Sequence, residues 1–248
     1  MTFNITFYET TNQGKRQKNE DYYAHVIRKN WVCFVVADGL GGHAFGEVAS
    51  RAIVEALITK ADEYSELLSH SKPLEAMASY IRESGRMMRD TILQQCGRVD
   101  AETTVALLWL NPNHMITAHV GDSRVYRLNR EGMLWRTPDH SMVQELFEEG
   151  KITEEDFGKH PLQNRLLKAV NIFETPAADL YLHPPLNKDE TILLCTDGFW
   201  EYLTQKDLIT LANSADVQQF VTEKIKVILA ENPKTADNIT LQVIRLQN

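Results

Sequence analysis

Acidic residues stand where apolar, strand-like runs of this 248-residue chain begin or end. Two runs end in Asp-Gly, at Asp38-Gly39 and at Asp197-Gly198, and a glycine after the acid permits a sharp turn and a close approach of the backbone. Other runs are flanked by Glu20, Asp21, Asp122 and Asp237. Any single Asp-Gly is more often an ordinary turn signal, so only the joint pattern suggests a function.

Carboxylates that converge in space repel one another and require cations. Oxygen ligands without cysteine or paired histidine favour hard ions such as Mg²⁺ or Mn²⁺. Two such ions can share a carboxylate and a water, lower the pKa of that water and stabilise an in-line attack on phosphorus. Arg16 lies four residues before Glu20, and a guanidinium matches a phosphate bidentately, although an arginine in a polar N-terminal segment is usually just solvated.

Composition excludes several other classes of protein. The net charge is -8, with 34 acidic and 26 basic residues, which argues against a surface that coats nucleic acid. The three cysteines form no CxxC pair, and the residues six positions after them are Gly39, Glu102 and Glu201. The C-x5-R loop of a cysteine-based tyrosine phosphatase is therefore absent.

The N-terminus has no apolar signal core, and no run reaches the roughly 18 apolar residues of a membrane helix. These features predict a cytoplasmic protein that interacts with no membrane. The widely spaced, odd set of cysteines fits a reducing compartment.

Apolar periodicity predicts strands that alternate with blocks of helix. Strands are predicted at 31–37, 105–110, 114–120, 124–128, 191–196 and 239–246, and the Gly-Asp-Ser between the third and fourth is a hairpin or bulge signal. Helices are predicted at 46–60, 73–95, 141–149, 204–212 and 216–229, with Ser141 placed to cap the third. Two long helices that precede a block of strands favour an α+β fold over alternating βαβ units.

Several short motifs of the chain resemble those of a known family and occur in the same order as in that family. The motifs are RQKNED at 16–21, VVADGLGGHAFGEVAS at 35–50, ETT at 102–104, HVGDSRVYRL at 119–128, TPDHS at 137–141, LLCTDGFW at 193–200 and DNIT at 237–240. Each motif is weak, but the ordered set is specific. The chain resembles the metal-dependent PPM phosphatases, the protein phosphatase 2C type, in their short bacterial form.

The resemblance implies a fold. We expect a four-layer α/β/β/α sandwich with two central, mostly antiparallel sheets. Residues 1–248 would form a single phosphatase catalytic domain, with a small flap segment at about 142–163 beside the site.

The resemblance also implies a binuclear centre for Mn²⁺ or Mg²⁺. Asp38 would bridge both ions, Asp197 and Asp237 would serve one, and the Gly39 carbonyl would serve the other. The remaining implied residues are Glu20 and Asp21, acting mostly through water, Asp122, which with Asp197 would hold a third and weaker ion, and Arg16, which would bind phosphate.

The chain departs from the family pattern at several positions. Leu40 stands where eukaryotic members have a histidine proposed as general acid, and the nearby His43 does not occupy that position. Glu102 replaces a usual glycine, and Lys168 and Asn171 replace the usual arginine and glycine after the flap. These changes affect the expected handling of substrate more than the metal centre.

Three rival interpretations have a basis in the residues. Residues 39–44 match the G-x-G-x-x-A dinucleotide fingerprint, but Asp62 and Glu63, near the distance expected for its acid, follow a predicted helix and not a strand. Asp139 and His140 imitate a catalytic dyad, although adjacent residues rarely face each other. A pseudophosphatase that only binds phosphoproteins need not retain Arg16 and all the aspartates.

The sequence thus predicts a protein serine/threonine phosphatase that acts on phosphorylated proteins and opposes a bacterial Ser/Thr kinase. We expect a monomer with no nucleic-acid partner.

Overall fold

The computed structural model describes residues 4–40, 45–70 and 72–247. These residues form two five-stranded antiparallel sheets and a short two-stranded ribbon. The strands are β1 (Ile5–Asn12), β2 (Asp21–Ile27), β3 (Val32–Asp38), β4 (Glu102–Thr103), β5 (Val105–Leu110), β6 (Met115–Val120), β7 (Arg124–Asn129), β8 (Gly132–Arg136), β9 (Val170–Asn171), β10 (Asp179–His183), β11 (Thr191–Cys195) and β12 (Ile239–Leu246). The helices are α1 (Gly46–Ser69), α2 (Pro73–Cys96), α3 (Met142–Glu148), α4 (Asp197–Trp200), α5 (Gln205–Asn213) and α6 (Val217–Glu231), with a 3₁₀ turn at Glu154–Asp156.

The two large sheets lie face to face between two layers of helix. The first sheet has the strand order β1-β12-β11-β7-β8, and the second has the order β10-β6-β5-β3-β2. Helices α1 and α2 share one hydrophobic core with the second sheet, and α5 and α6 share another with the first. A third core fills the space between the sheets. The predicted four-layer α+β sandwich is confirmed.

The central strands form where the sequence has unbroken apolar runs. Strands β5 and β11 are buried along their whole length, and β3 is buried up to its terminal aspartate. A strand covered on both faces needs apolar residues at every position, not at alternate ones. Because of this requirement, these runs could be recognised as strands although apolar and polar residues do not alternate along them.

The predicted helices are confirmed, with shifted ends. Helix α1 continues past residue 60 to Ser69 because its later turns bury Ala61 and Leu68. The predicted cap is present, since the side chain of Ser141 accepts a hydrogen bond from the N–H of Gln144 at 3.2 Å. Edge strands β1, β8 and β10 were not predicted.

The hairpin interpretation of Gly121-Asp122-Ser123 was wrong. Strand β6 pairs with β5 and β10, whereas β7 pairs with β11 and β8, so the segment crosses from one sheet to the other. Both strands are almost entirely buried. Apolar strands of this kind gain more burial by packing in opposite sheets than by forming one exposed hairpin.

Two other sequence features can be placed. Residues 41–44 of the dinucleotide-like motif, including His43, lie outside the described residues. Asp62 and Glu63 were expected to follow the predicted helix, but they lie within α1, which is longer than predicted; the segment before them is helical, as predicted. No helix of the described chain has the length and apolar character needed to cross a membrane.

Candidate metal centre

The first pair of predicted acids meets at one end of the second sheet. Asp21 opens β2 and Asp38 closes β3, and the two residues face each other directly in the antiparallel register. The N–H of Gly39 donates to the carbonyl of Glu20 at 3.0 Å, which holds the third acid at the same edge. Like charges directly opposite each other destabilise a sheet, so this register requires a compensating cation.

The first sheet contributes its own acid through a hydrogen bond between the sheets. Asp197 lies two residues after the last residue of β11 and opens the short helix α4. The preceding Thr196 is buried and donates from Oγ1 to Oδ2 of Asp21 at 2.9 Å. The N–H of Thr196 also donates to the carbonyl of Thr240 in β12 at 3.0 Å. The ends of both sheets are thereby held together at Asp197.

Asn238 holds the N-terminal loop against the start of β12. Its Oδ1 accepts from the N–H of Glu20 at 2.8 Å, and its Nδ2 donates to the carbonyls of Gln13 and Lys18 at 2.8 and 3.0 Å. Within the loop, Arg16 donates to Oδ2 of the neighbouring Asp237 at 2.6 Å. One amide side chain therefore positions residues 13–20 beside Asp237.

Asp122 lies on the crossing between the sheets, and two contacts fix its backbone. The indole N–H of Trp200 donates to the carbonyl of Asp122 at 2.9 Å. The hydroxyls of Thr104 and Ser123 share a hydrogen bond of 2.6 Å. Trp200 therefore does more than fill the core, because it also anchors the loop that carries this acid.

The two Asp-Gly glycines are required for close approach and not for a left-handed turn. A Cβ on Gly39 would lie 2.3 Å from the backbone of Gly46, and one on Gly198 would lie 2.0 Å from the carbonyl oxygen of Asn238. Neither glycine has a positive φ. Each glycine lets a second backbone segment lie directly against the acid that precedes it.

The electrostatics show that the acids converge. Burial raises the pKa of Asp38 well above its usual range, and the next causes are the charges of Asp21, Asp197, Asp122 and Asp237. Burial followed by neighbouring acids also raises the pKa of Asp122 strongly. These acids come from both sheets and from the loop between them, so the predicted clustering is present in the fold.

The same causes act on the other two buried members. The pKa of Asp21 rises to about 7, by burial and then by Asp197, against hydrogen bonds from Thr240 and Thr196. The pKa of Asp197 rises to about 6, by burial and then by Asp237. One oxygen each of Asp21 and Asp197 is buried with no hydrogen-bond partner among the described residues. Buried carboxylate oxygens without a hydrogen-bond donor from the protein are suited to a cation.

A cavity of about 950 Å³ opens over these acids. We call its acidic base the cavity floor, formed by Glu20, Asp38, Asp122, Asp197 and Asp237. We call the opposite side the cavity wall, formed by Met142 and residues 164–167. Arg16 and Gly39 also line the cavity, whereas Asp21 does not, so Asp21 lies behind the floor.

Two residues near the floor escaped the sequence analysis. Glu201 lies four residues after Asp197, and burial, followed by the charges of Asp197 and Asp237, raises its pKa to about 8. Residues four apart share a helical face, and that spacing could have identified it. Asn238 has no comparable signal, because its role depends on a loop more than 200 residues away in the chain.

Asp139 and His140 do not form a dyad. The carboxylate of Asp139 accepts a bidentate pair of hydrogen bonds from Arg124 at 2.7 and 2.6 Å, and both residues are buried. His140 faces elsewhere: its Nδ1 accepts from the N–H of Gly121 at 3.1 Å. The guanidinium of Arg124 also lies 3.4 Å from the ring centre of Trp200. This pair therefore supports the site structurally.

A second group could hold a cation on distance alone. The ligand atoms of His119, His140 and Asp179 lie within 4.8 Å of one another. Because Nδ1 of His140 accepts from Gly121, the neutral ring carries its proton on Nε2, which lies 3.3 Å from Asp179. Lys168 also lies 3.1 Å from that carboxylate. Asp179 is thereby paired with both His140 and Lys168, and the acidic cluster remains the better cation site.

Comparison with known proteins agrees with this geometry. A family model described as Protein phosphatase 2C matches residues 10–237. The serine/threonine phosphatase stp of Listeria monocytogenes is 30% identical over 242 residues, which cover 94% of this chain and 93% of that protein.

Solved structures share the fold. The crystal structure of the serine/threonine phosphatase Stp1 from Staphylococcus aureus has a TM-score of 0.81 at 24% identity and covers 100% of this chain and 96% of that chain. The catalytic domain of the serine threonine protein phosphatase PstP, in complex with 2 manganese ions, has a TM-score of 0.79 at 23% identity and covers 100% of both chains. The chain belongs to the protein phosphatase 2C family.

Proposed function

We propose that this protein is a metal-dependent protein serine/threonine phosphatase that hydrolyses phosphoserine and phosphothreonine on proteins. The observation that carries the proposal is the convergence of carboxylates from both sheets on one cavity. Family membership supports the reaction, and the relative named as a serine/threonine phosphatase supports the substrate class.

The donor set fits hard divalent cations. Asp38, Asp197 and Asp237 offer carboxylate oxygens, and Gly39 offers its carbonyl. Glu20 and Asp21 would act mostly through water, and Asp122 would serve a third, weaker ion. Within the described residues, the cavity lining contains no cysteine or histidine, which favours Mn²⁺ or Mg²⁺ over zinc. Manganese in the related PstP structure agrees with this choice.

The chemistry divides between the ions and the protein. When bound, the cations supply Lewis acidity and lower the pKa of water at the floor. Arg16 has one N–H directed to Asp237 at 2.6 Å, and a guanidinium carries five N–H donors. The remaining donors of Arg16 are available to hold phosphoryl oxygens and to stabilise charge that develops on them.

A covalent protein nucleophile is not needed. No serine, threonine or cysteine of the described chain lines the cavity. Cys33 and Cys195 are buried in the core, and burial raises the pKa of Cys33 to about 12. Thiols held neutral in this way are inert.

The wider setting extends the proposal. Residues 1–248 act as one catalytic domain, with residues 142–163 as its flap. The enzyme works as a cytoplasmic monomer in signalling and reverses the action of a cognate Ser/Thr kinase. Phosphorylated proteins are its substrates.

The test compares substrates and metals in one assay. The purified protein is given p-nitrophenyl phosphate and three peptides of identical flanks that carry phosphoserine, phosphothreonine or phosphotyrosine. We expect manganese-dependent turnover of the first two peptides, and its loss in EDTA. Turnover that persists in EDTA would exclude the metal mechanism. Tight phosphopeptide binding without any turnover would instead establish the pseudophosphatase.

A further inference from the structure

Arg165 is a cation of the cavity wall whose charge has no partner among the residues that the structure describes. Within that part of the chain, the basic residues that line the cavity are Arg16, Lys18 and Arg165. Arg16 is paired with Asp237 and Lys18 with Glu47, each at 2.6 Å. Among the described residues, the guanidinium of Arg165 makes no ion pair or hydrogen bond, and the side chain is exposed.

The backbone beneath Arg165 is nevertheless well fixed. Its carbonyl accepts from the N–H of Met142 at 3.0 Å, and its own N–H donates to the carbonyl of Leu162 at 3.0 Å. On the next residues, Leu166 bridges to Ser141, and the N–H of Leu167 donates to the carbonyl of His140 at 2.8 Å. The side chain therefore extends from a positioned segment, which is a requirement for selective binding.

Arg165 is also separate from the group that would hold the scissile phosphate. The positive charges that most lower the pKa values of Glu20, Asp122 and Asp197 belong to Arg16, Lys18 and Arg124. Arg165 is not among the principal charges that act on any of these carboxylates. Arg165 is exposed on the cavity wall, where the peptide on either side of a phosphorylated residue would lie.

We infer that Arg165 determines specificity by binding an acidic side chain close to the phosphorylated residue of the substrate. This inference rests on the proposed function. A carboxylate matches the planar guanidinium bidentately, and the acidic floor would otherwise repel such a peptide. The apolar neighbours Met142, Leu166 and Leu167 line the same wall.

The experiment measures kcat/KM with manganese on three phosphothreonine peptides. They are identical except for neutral, acidic or basic residues within two positions of the phosphothreonine. We expect the wild-type protein to prefer the acidic peptide. Arg165→Gln should lower kcat/KM for that peptide about 5-fold, and Arg165→Glu should reverse the preference toward the basic peptide, both effects weakening as salt is added.

Arg130→Glu provides the matched control. Arg130 is exposed at the β7–β8 turn and does not line the cavity. It lies at the far end of β7 from Asp122, about 20 Å away for six residues of strand. This variant should retain the preference of the wild-type protein.

p-Nitrophenyl phosphate separates failure of the inference from failure of the proposed function. Because that substrate has no flanking residues, the Arg165 variants should hydrolyse it at the wild-type rate. An equal loss on this substrate and on all peptides would place Arg165 at the scissile phosphate and overturn the inference. Normal turnover with a peptide preference that stays the same in Arg165→Glu would also overturn the inference. No manganese-dependent turnover of any substrate would overturn the proposed function and the inference with it.

Discussion

The floor and the wall of the cavity are built in opposite ways. Every acid of the floor stands within two residues of the end of a strand or on the crossing between the two sheets. Hydrogen bonds such as the one from Thr196 to Asp21 connect residues 175 positions apart. The wall comes from one stretch near α3. The backbone of this stretch is held mostly by hydrogen bonds to nearby residues such as Met142 and Leu162. Asp122 of the floor is buried and the other four floor acids are half-buried, whereas Leu167 of the wall is 49% exposed.

Because of this difference, the floor is suited to cation binding and the wall to substrate selection. A floor fixed by both sheets can hold charged groups close together without collapsing, which cation binding needs. A wall with free side chains can change without disturbing that geometry. Two departures from the family pattern, Glu102 and Asn171, face each other in the β4–β9 ribbon, and Glu102 lines the cavity. Neither of these two departures belongs to the floor.

Asp38→Asn tests the floor with the largest expected effect. Loss of Asp38, the proposed bridging carboxylate, should lower kcat by more than about 100-fold, because even changes to groups that only support metal ligands cost 10–100-fold. In EDTA the melting temperature should equal or exceed that of the wild-type protein, since Asp21 no longer faces a like charge. Activity assays and thermal melts with and without manganese measure both effects.

The same melts contain the control. Manganese should raise the melting temperature of the wild-type protein by ligand linkage, and this rise should disappear in Asp38→Asn. Asp62→Asn changes an exposed aspartate of α1 that pairs with Arg28 and should retain both the activity and the metal response. Wild-type turnover in Asp38→Asn would refute the assignment of the bridging residue.

Asn238→Ala tests how the floor is supported. The substitution removes three hydrogen bonds and leaves the N–H of Glu20 and the carbonyls of Gln13 and Lys18 without their partner. We expect about 1–3 kcal/mol less stability and a 10- to 100-fold loss of kcat/KM, measured by urea unfolding and by phosphopeptide turnover. Asn213→Ala removes two hydrogen bonds from an exposed asparagine and should leave turnover intact; equal losses in both variants would contradict a specific role for Asn238.

Arg16→Ala should have a smaller effect that distinguishes the two arginines of the cavity. If Arg16 holds phosphoryl oxygens, KM should rise about 10-fold, the equivalent of about 1.4 kcal/mol. The rise should be the same for p-nitrophenyl phosphate and for all phosphopeptides, unlike the effect of Arg165→Gln. Arg28→Ala breaks a similar exposed pair with Asp62 and serves as control. An unchanged KM in Arg16→Ala would exclude the phosphate-binding role.

Much of the fold and floor could be predicted because each depends on signals within short segments. The runs that became β5 and β12 were predicted with their observed ends. Strand β1 was not, since its residues alternate irregularly between half-buried and exposed and its pairing with β12 provides the order. Edge strands depend on a partner that a local pattern does not contain.

The meeting of the acids could be predicted only by resemblance. Nothing in the spacing of Asp21 and Asp38 shows that they face each other, because that register depends on how β2 and β3 pair. Asn238 and Arg165 illustrate the same limit. Asn238 acts through a loop at the other end of the chain, and Arg165 is notable only because none of the described residues pairs with it.

His119 lies at the junction of floor and wall, where the segment before Asp122 meets the segment before Met142. Its substitution should affect activity least. The side chain is fully buried, stacks on His140 with ring centres 4.7 Å apart and contacts the carbonyl of Pro138 at 2.7 Å. Burial, followed by the charge of His140, lowers its pKa to about 4. His119 does not line the cavity, so His119→Gln should hydrolyse phosphopeptides at the wild-type rate near pH 7.5.

The pH dependence of stability should differ between the wild-type protein and His119→Gln. An imidazole whose pKa is lower in the folded state than in the unfolded chain binds more protons on unfolding, so its contribution to stability is lost as the pH falls. The loss should begin near the unfolded value of about 6.5 and be complete near 4, on the order of 3 kcal/mol at about 1.4 kcal/mol per pKa unit. Urea unfolding in EDTA between pH 8 and pH 4 measures this loss of stability.

The acids of the floor titrate in both proteins, so the difference between the two stability curves isolates His119. As a control, His70→Gln, at an exposed histidine, should follow the wild-type curve. If His119→Gln loses stability as steeply as the wild-type protein, the buried ring is not neutral in the fold, and the junction depends on a charge there.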